Sequence, residues 1–155
     1  MSEFTEIPWS LVERYDRPLP RYTSYPTVPH WCEATAPSVV EGWDRVASGE
    51  ARVSVYVHVP FCHRMCLYCG CNTTVTKRQD VIERYVDALC MEIAQVRARV
   101  GAKPLAQLHF GGGTPSLLPV PLLERLLGAI YDAFAPTEDA EISMELDPTV
   151  TTAQH

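Results

Sequence analysis

The chain has 155 residues, 46% hydrophobic and 21% charged, with a formal charge of −6. That length suffices for one domain with a core, the composition is ordinary for a soluble globular protein, and the acidic balance argues against nucleic-acid binding, which calls for a basic patch. No apolar run approaches the roughly 18 residues of a membrane span. The acidic start, Met1-Ser2-Glu3-Phe4-Thr5-Glu6, is no secretory signal, so the expected compartment is the reducing cytoplasm.

Residues 1–50 read as an irregular, proline-rich segment, with Pro8, Pro18, Pro20, Pro26, Pro29 and Pro37. The stretch Pro20-Arg21-Tyr22-Thr23-Ser24-Tyr25-Pro26 lacks a helical period and is expected to run extended. A short helix from Ser38 to Ala47 is expected before the pattern changes. From residue 51 the chain reads as a second region. Val53, Val55, Val57 and Val59 alternate with Ser54, Tyr56 and His58, which predicts a first strand. A cysteine-rich loop follows at once. Asp80, with Glu83 three residues on, is the expected cap of a long helix. Its apolar stripe is Ile82, Tyr85, Val86, Leu89, Ile93, Val96 and Val100, and Gly101 stops it. Cys90 falls on the apolar side and reads as a small buried hydrophobe. A second strand is predicted from Leu105 to Phe110, running into Gly111-Gly112-Gly113-Thr114-Pro115. A second helix starts near Pro121, with Leu122, Leu123, Leu126, Leu127 and Ile130 as its buried stripe. A third strand follows from Ala140 to Leu146.

Strand, helix, strand, helix, strand calls for an α/β fold with a parallel sheet. Parallel strands covered on both faces read as continuous apolar runs. Here the first and third strands carry Tyr56 and His58, then Glu141, Ser143 and Glu145, along one face. A polar inner wall bounding a ligand cavity is expected, against the alternative of a merely solvated face.

The cysteine run reads Cys62-His-Arg-Met-Cys66-Leu-Tyr-Cys69-Gly-Cys71. Four readings are open. Zinc would take four cysteines, or three and a histidine, from Cys71 or His63. A four-thiolate iron–sulfur cluster would also recruit Cys71. A redox pair needs only Cys66 and Cys69. The fourth reading is a three-thiolate cluster whose remaining iron binds a small molecule. The loop leaves the C-terminal end of a parallel strand, where such sheets place their ligands, and that position favours the fourth reading. The glycine run leaves a strand at the same end. Its glycines allow close backbone approach to a ligand, and it lacks the lysine of a phosphate loop. Glu145 closes the third strand beside it. Tyr68 is placed to stack on a flat ligand or to pack on the cluster. His58 reads as a core polar residue or a ligand group, with the core favoured.

Taken together these residues resemble the radical S-adenosylmethionine (SAM) enzymes. More narrowly, they resemble the oxygen-independent coproporphyrinogen III oxidases of haem synthesis. The matches are residues 20–27, Tyr56-Val-His-Val-Pro-Phe-Cys62, the cysteine loop with Gly70-Cys71, Gly111-Gly-Gly-Thr-Pro115 and Glu145-Leu-Asp-Pro148. The resemblance implies the N-terminal part of a partial (β/α)6 barrel, about three βα units, behind the irregular segment. It implies that Cys62, Cys66 and Cys69 hold a [4Fe-4S] cluster whose fourth iron chelates the amino and carboxylate groups of SAM. Tyr56, Gly112 and Glu145 match positions that bind this SAM. Tyr68, Gly113 and Thr114 match positions that touch a second SAM, and Tyr68 stands where the family usually has Phe. Cys71 matches an extra family cysteine outside the cluster and is the candidate catalytic residue. The implied reaction cleaves SAM to a 5′-deoxyadenosyl radical, which removes hydrogen from propionate groups of the porphyrinogen. Loss of CO2 leaves vinyl groups and gives protoporphyrinogen IX. An unidentified electron donor is implied, with no nucleic acid or membrane partner and a monomer at full length. Family members are much longer, so this chain alone is expected to be weak or inactive. A haem-binding chaperone on the same scaffold and a zinc module are the competing functions.

Overall fold

In the computed structural model the described residues are 7–16 and 28–155. The segment 20–27, expected to run extended, lies outside them. The chain divides into a unit ending at Thr35 and a unit Ala36–His155. In the first, helix α1 spans Trp9–Tyr15 and a 3-10 turn spans Val28–His30. The sequence reading missed α1 because every residue of it is exposed, so it shows no buried stripe.

The second unit opens with α2, Ala36–Ser48, where a helix was expected from Ser38 to Ala47. Pro37 sits in its first turn, where a missing N–H costs nothing. Arg99 pairs with Asp44 at 2.6 Å, and the Lys103 ammonium donates to the Ala47 carbonyl at 2.9 Å and to the Gly49 carbonyl. These bonds join α2 to the sheet-bearing unit. α2 therefore groups with the sheet-bearing unit, and residues 36–48 of the expected irregular segment are helical.

The remaining elements are β1 (Val53–Val59), β2 (Phe61–Cys62), β3 (Thr74–Val75), α3 (Gln79–Val100), β4 (Leu105–Gly112), α4 (Val120–Ala133) and β5 (Pro136–Met144). Among the described residues, β1, β4 and β5 form a parallel sheet in the order β1-β4-β5. Each strand is followed in sequence by a helix before its parallel neighbour, as the alternating pattern required. β5 begins earlier than expected. Leu105 pairs with Pro136, and its N–H bonds to the Ala135 carbonyl at 2.9 Å, before a register shift brings Gln107 opposite Glu141. That extra pairing is non-local, and no periodicity in residues 136–140 announces it.

One face of the sheet is apolar and is covered over β1 and β4, while Ile142 of β5 stays half-exposed on it. Val57, Val59, Leu108 and Phe110 are buried with Ile82 and Val86 of α3 and with Leu123, Leu126 and Ile130 of α4. Burying each such side chain contributes about 1.5–3 kcal/mol against leaving it in water. Cys90 is half-buried at the margin of this core. Asp80 is not the cap of α3. Arg78 occupies that position without a side-chain cap bond, and Asp80 lies in the first turn, held by Arg78 at 2.6 Å and Arg84 at 3.6 Å. The acidic side chain still faces the positive end of the helix. Gly101 ends α3 with φ +77°, as expected.

The other face is polar across all three strands. Ser54, Gln107 and Glu141 lie in one row, and Tyr56, His109 and Ser143 in the next. Gln107 donates to Glu141 at 3.3 Å, and Ser54 meets Gln107 at 3.2 Å.

Candidate functional site

The chain continues from β1 through Pro60 into β2, and two neighbours grip it there. On one side Phe61 and Cys62 pair with Thr74 and Val75, and the Thr76 N–H bonds to the Cys62 carbonyl at 3.0 Å. This closes residues 63–73 into a loop with fixed ends. On the other side the Gly113 N–H reaches the Val59 carbonyl at 2.8 Å, and the Thr114 N–H the Phe61 carbonyl at 2.9 Å. The glycine run and the cysteine loop are therefore stitched together by backbone.

That approach needs glycines. A β-carbon on Gly112 would come within 2.8 Å of the His58 ring, and its φ of +115° is a region that disfavours side chains. A β-carbon on Gly111 would stand 2.9 Å from the Tyr56 hydroxyl.

Cys62, Cys66, Cys69 and Cys71 all line one cavity of about 710 Å3. Tyr68, Gly112, Gly113, Thr114 and Glu145 line it too, with Asp147 and Pro148. It opens beyond the C-terminal ends of β1, β4 and β5, where the sequence reading put it. Its size suits a ligand-binding cavity. All four loop cysteines are unbridged, and the Cys62 sulfur lies 3.4 Å from the Thr114 hydroxyl. Burial pushes the Cys71 thiol up, helped by the neighbouring Cys69 and then by the Glu145 carboxylate and Cys62. Tyr68 is almost fully exposed at the loop tip beside exposed Leu67.

Tyr56 does not line this cavity. It stands on the polar face one row back, and its hydroxyl lies 3.1 Å from the His58 Nδ1. Burial, then Glu145, then Cys71 raise its phenol above the ordinary value. His58 is not in the core. Its side chain lies on the polar face, and its Nε2 meets the Asn72 carbonyl at 2.9 Å, tying β1 to the end of the cysteine loop. The reason is register: His58 shares the face of Tyr56, opposite buried Val57 and Val59. Glu145 follows β5, where its Oε2 accepts from the Gly112 N–H at 3.2 Å.

Two residues of this region were missed in the sequence. His109, in the middle strand, stacks on Tyr56 with centroids 5.8 Å apart and planes 19° from parallel. The same alternation that exposed Tyr56 and His58 was present in Gln107 and His109. Asp147 opens a turn, accepting from the Thr149 N–H at 2.8 Å and hydroxyl at 2.7 Å, which lowers its carboxyl below the usual range with help from Arg64 and His63.

The radical SAM superfamily pattern matches residues 56–155. The oxygen-independent coproporphyrinogen III oxidase of Paracoccus denitrificans is 40% identical over 86% of this chain and 30% of its own length. That of Escherichia coli is 40% identical over 92% of this chain and 32% of its own. A relative of the same name from Mannheimia haemolytica is 38% identical over 93% of this chain and 99% of its own. A solved structure of the Escherichia coli coproporphyrinogen III oxidase superposes with a TM-score of 0.72 at 37% identity, covering 92% of this chain and 31% of that one. The chain thus spans about a third of the Paracoccus and Escherichia relatives.

Radical SAM proteins work with a [4Fe-4S] cluster and SAM, and the residues present fit that pair. A single metal ion needs its ligands to converge, and among the described residues no three His, Cys, Asp or Glu side chains do so. A cluster distributes its thiolates over separate irons, and the four unbridged cysteines around one cavity offer enough thiolates for it. The pattern match, the Mannheimia relative matched almost end to end and the superposed structure agree: the chain belongs to the radical SAM superfamily and, within it, to the oxygen-independent coproporphyrinogen III oxidase family.

Proposed function

We propose that this chain supplies the cluster-binding part of an enzyme that decarboxylates coproporphyrinogen III to protoporphyrinogen IX without oxygen. The observation that carries this is the convergence of Cys62, Cys66, Cys69, Gly112, Gly113, Thr114 and Glu145 on one cavity at the C-terminal end of a parallel sheet. In this reading Cys62, Cys66 and Cys69 hold the cluster and leave one iron without a protein ligand. The bound cluster and SAM supply one-electron radical chemistry directed at the propionate groups.

The protein's own groups bind and orient. The half-buried Gly112 and Gly113 line the cavity, and their lack of side chains lets the amino-acid end of SAM approach the backbone. The Glu145 carboxylate takes a positively charged or hydroxyl group of SAM, and Tyr56 borders that position. Tyr68, Gly113 and Thr114 face a second SAM molecule, with the Tyr68 ring as a stacking surface. Cys71 lines the same cavity and is read as serving the reaction rather than the cluster. The sheet is read as the first three strands of a partial (β/α)6 barrel, with the polar face turned inward. The implied cluster suits a reducing compartment, and the cytoplasm is the proposed location.

The chain by itself is expected to turn over weakly or not at all. The test is a chimera that continues this chain with the following residues of the Escherichia coli relative. After anaerobic reconstitution, and with a one-electron reductant, SAM and coproporphyrinogen III, the chimera should form vinyl product. Tight haem binding without product would make the protein a haem chaperone instead.

A further inference from the structure

We infer that His109 is a positioning residue, which orients the Glu145 carboxylate and the Tyr56 ring toward SAM. The inference rests on the reading of Glu145 and Tyr56 just given and deepens it.

His109 sits at the centre of the polar face, with Tyr56 beside it on β1 and Ser143 beside it on β5. Each side of its ring is committed. One face stacks on Tyr56 at 5.8 Å. The Nδ1 lies 2.8 Å from the Ser143 hydroxyl. The Nε2 lies 3.8 Å from the Glu145 Oε1. The other oxygen of Glu145, Oε2, accepts from the Gly112 N–H at 3.2 Å. The carboxylate is thus held by backbone at one oxygen and faced by imidazole at the other.

The tautomer follows from the charges. A carboxylate beside Nε2 favours a proton on that nitrogen. In a neutral ring Nδ1 is then the acceptor, so the Ser143 hydroxyl donates to it. Ser143 thereby fixes both the tautomer and the ring's rotation. The 3.8 Å approach is too long for a hydrogen bond, so it aligns the carboxylate without using up the lone pairs a ligand needs. The His109 side chain is 42% exposed, so replacing it opens no core cavity and a purely structural role predicts little change in ligand binding.

The test uses the whole chain, reconstituted anaerobically, with three readouts: SAM affinity, iron and sulfide content, and thermal midpoint. His109→Phe keeps a ring against Tyr56 but has no N–H. His109→Gln places an amide N–H near the lost Nε2. Ser143→Ala removes the tautomer lock. A partly exposed contact of this length is typically worth up to about fivefold in affinity. His109→Phe should therefore weaken SAM binding by about two- to fivefold, with cluster content and thermal midpoint unchanged. His109→Gln should recover most of the loss, and Ser143→Ala should fall between. Equal SAM affinity in wild type and His109→Phe overturns the inference. So does a His109→Gln variant as weak as His109→Phe, or a loss that follows cluster content. If His109→Phe fails to fold, His109→Gln against Ser143→Ala decides: near-wild-type affinity in the first and a loss in the second supports the inference, and equal affinities overturn it. A wild-type chain that holds a cluster yet binds no SAM overturns the site reading itself, before any variant is compared.

Discussion

A β-carbon on Gly113 would stand 2.9 Å from the Cys62 sulfur and 2.8 Å from the Phe61 carbonyl oxygen. The glycine run therefore does more than turn the chain. It is the surface against which Cys62 is set. Gly113→Ala should push the two segments apart, at about the 1–3 kcal/mol typical of overpacking, and should lower iron incorporation. Gly128→Ala is the control. Gly128 lies in α4 with nothing within 4 Å of the added carbon, so that change should raise stability by up to about 1 kcal/mol and leave iron content alone. Iron analysis and thermal melting of both variants check this.

The four loop cysteines should not be equivalent. Cys66→Ser should abolish the cluster's visible absorbance after anaerobic reconstitution, and Cys71→Ser should spare it. Equal loss in the two variants would show that the ligand set is assigned wrongly.

Tyr85 links the core to the site. Its hydroxyl donates to the His58 carbonyl at 2.7 Å, and its ring meets Phe61 edge-on at 5.2 Å. Burial, then Glu92 and Tyr56, raise its phenol above the ordinary value. The neutral phenol is the form that folding favours. Its contribution is complete below the ordinary phenol pKa of about 10 and is lost as pH rises through the higher folded value. Tyr85→Phe should cost about 0.5–1.5 kcal/mol at neutral pH. In urea unfolding, the gap between wild type and variant should shrink as the pH is taken above that range.

Leu126 is fully buried between α4 and the apolar face of the sheet. Leu126→Ala should destabilise the fold by about 2–5 kcal/mol, measured by denaturant titration. The polar face gives a contrast. Ser54→Ala removes only an exposed 3.2 Å contact to Gln107 and should change stability by less than about 0.5 kcal/mol.

The sheet was legible because each strand alternates and each helix carries an apolar stripe. Val53 to Val59 and Leu105 to Phe110 show their elements locally, and Gly101 marks a helix end that only glycine adopts easily. What was not legible depends on distant partners. β5 starts at Pro136 because Leu105 pairs with it, and α2 joins the sheet's unit because Arg99 and Lys103 reach back to it. Asp80 looked like a cap by spacing, but neighbouring Arg78 and Arg84 claim its carboxylate. The site's residue types were legible as motifs, since cysteine and glycine at fixed spacing have few other uses. For His109 the alternation with Gln107 marks only a polar-face position, and its role needs Tyr56, Ser143 and Glu145 around it.

The central claim is that the Cys62, Cys66 and Cys69 loop binds a cluster with one iron open to SAM. The most direct measurement is iron-site spectroscopy of the anaerobically reconstituted chain, with and without SAM. The account predicts a [4Fe-4S] cluster with one distinguishable iron whose signal changes when SAM is added. A cluster with four equivalent irons that ignores SAM, or stoichiometric zinc without iron and sulfide, would contradict it.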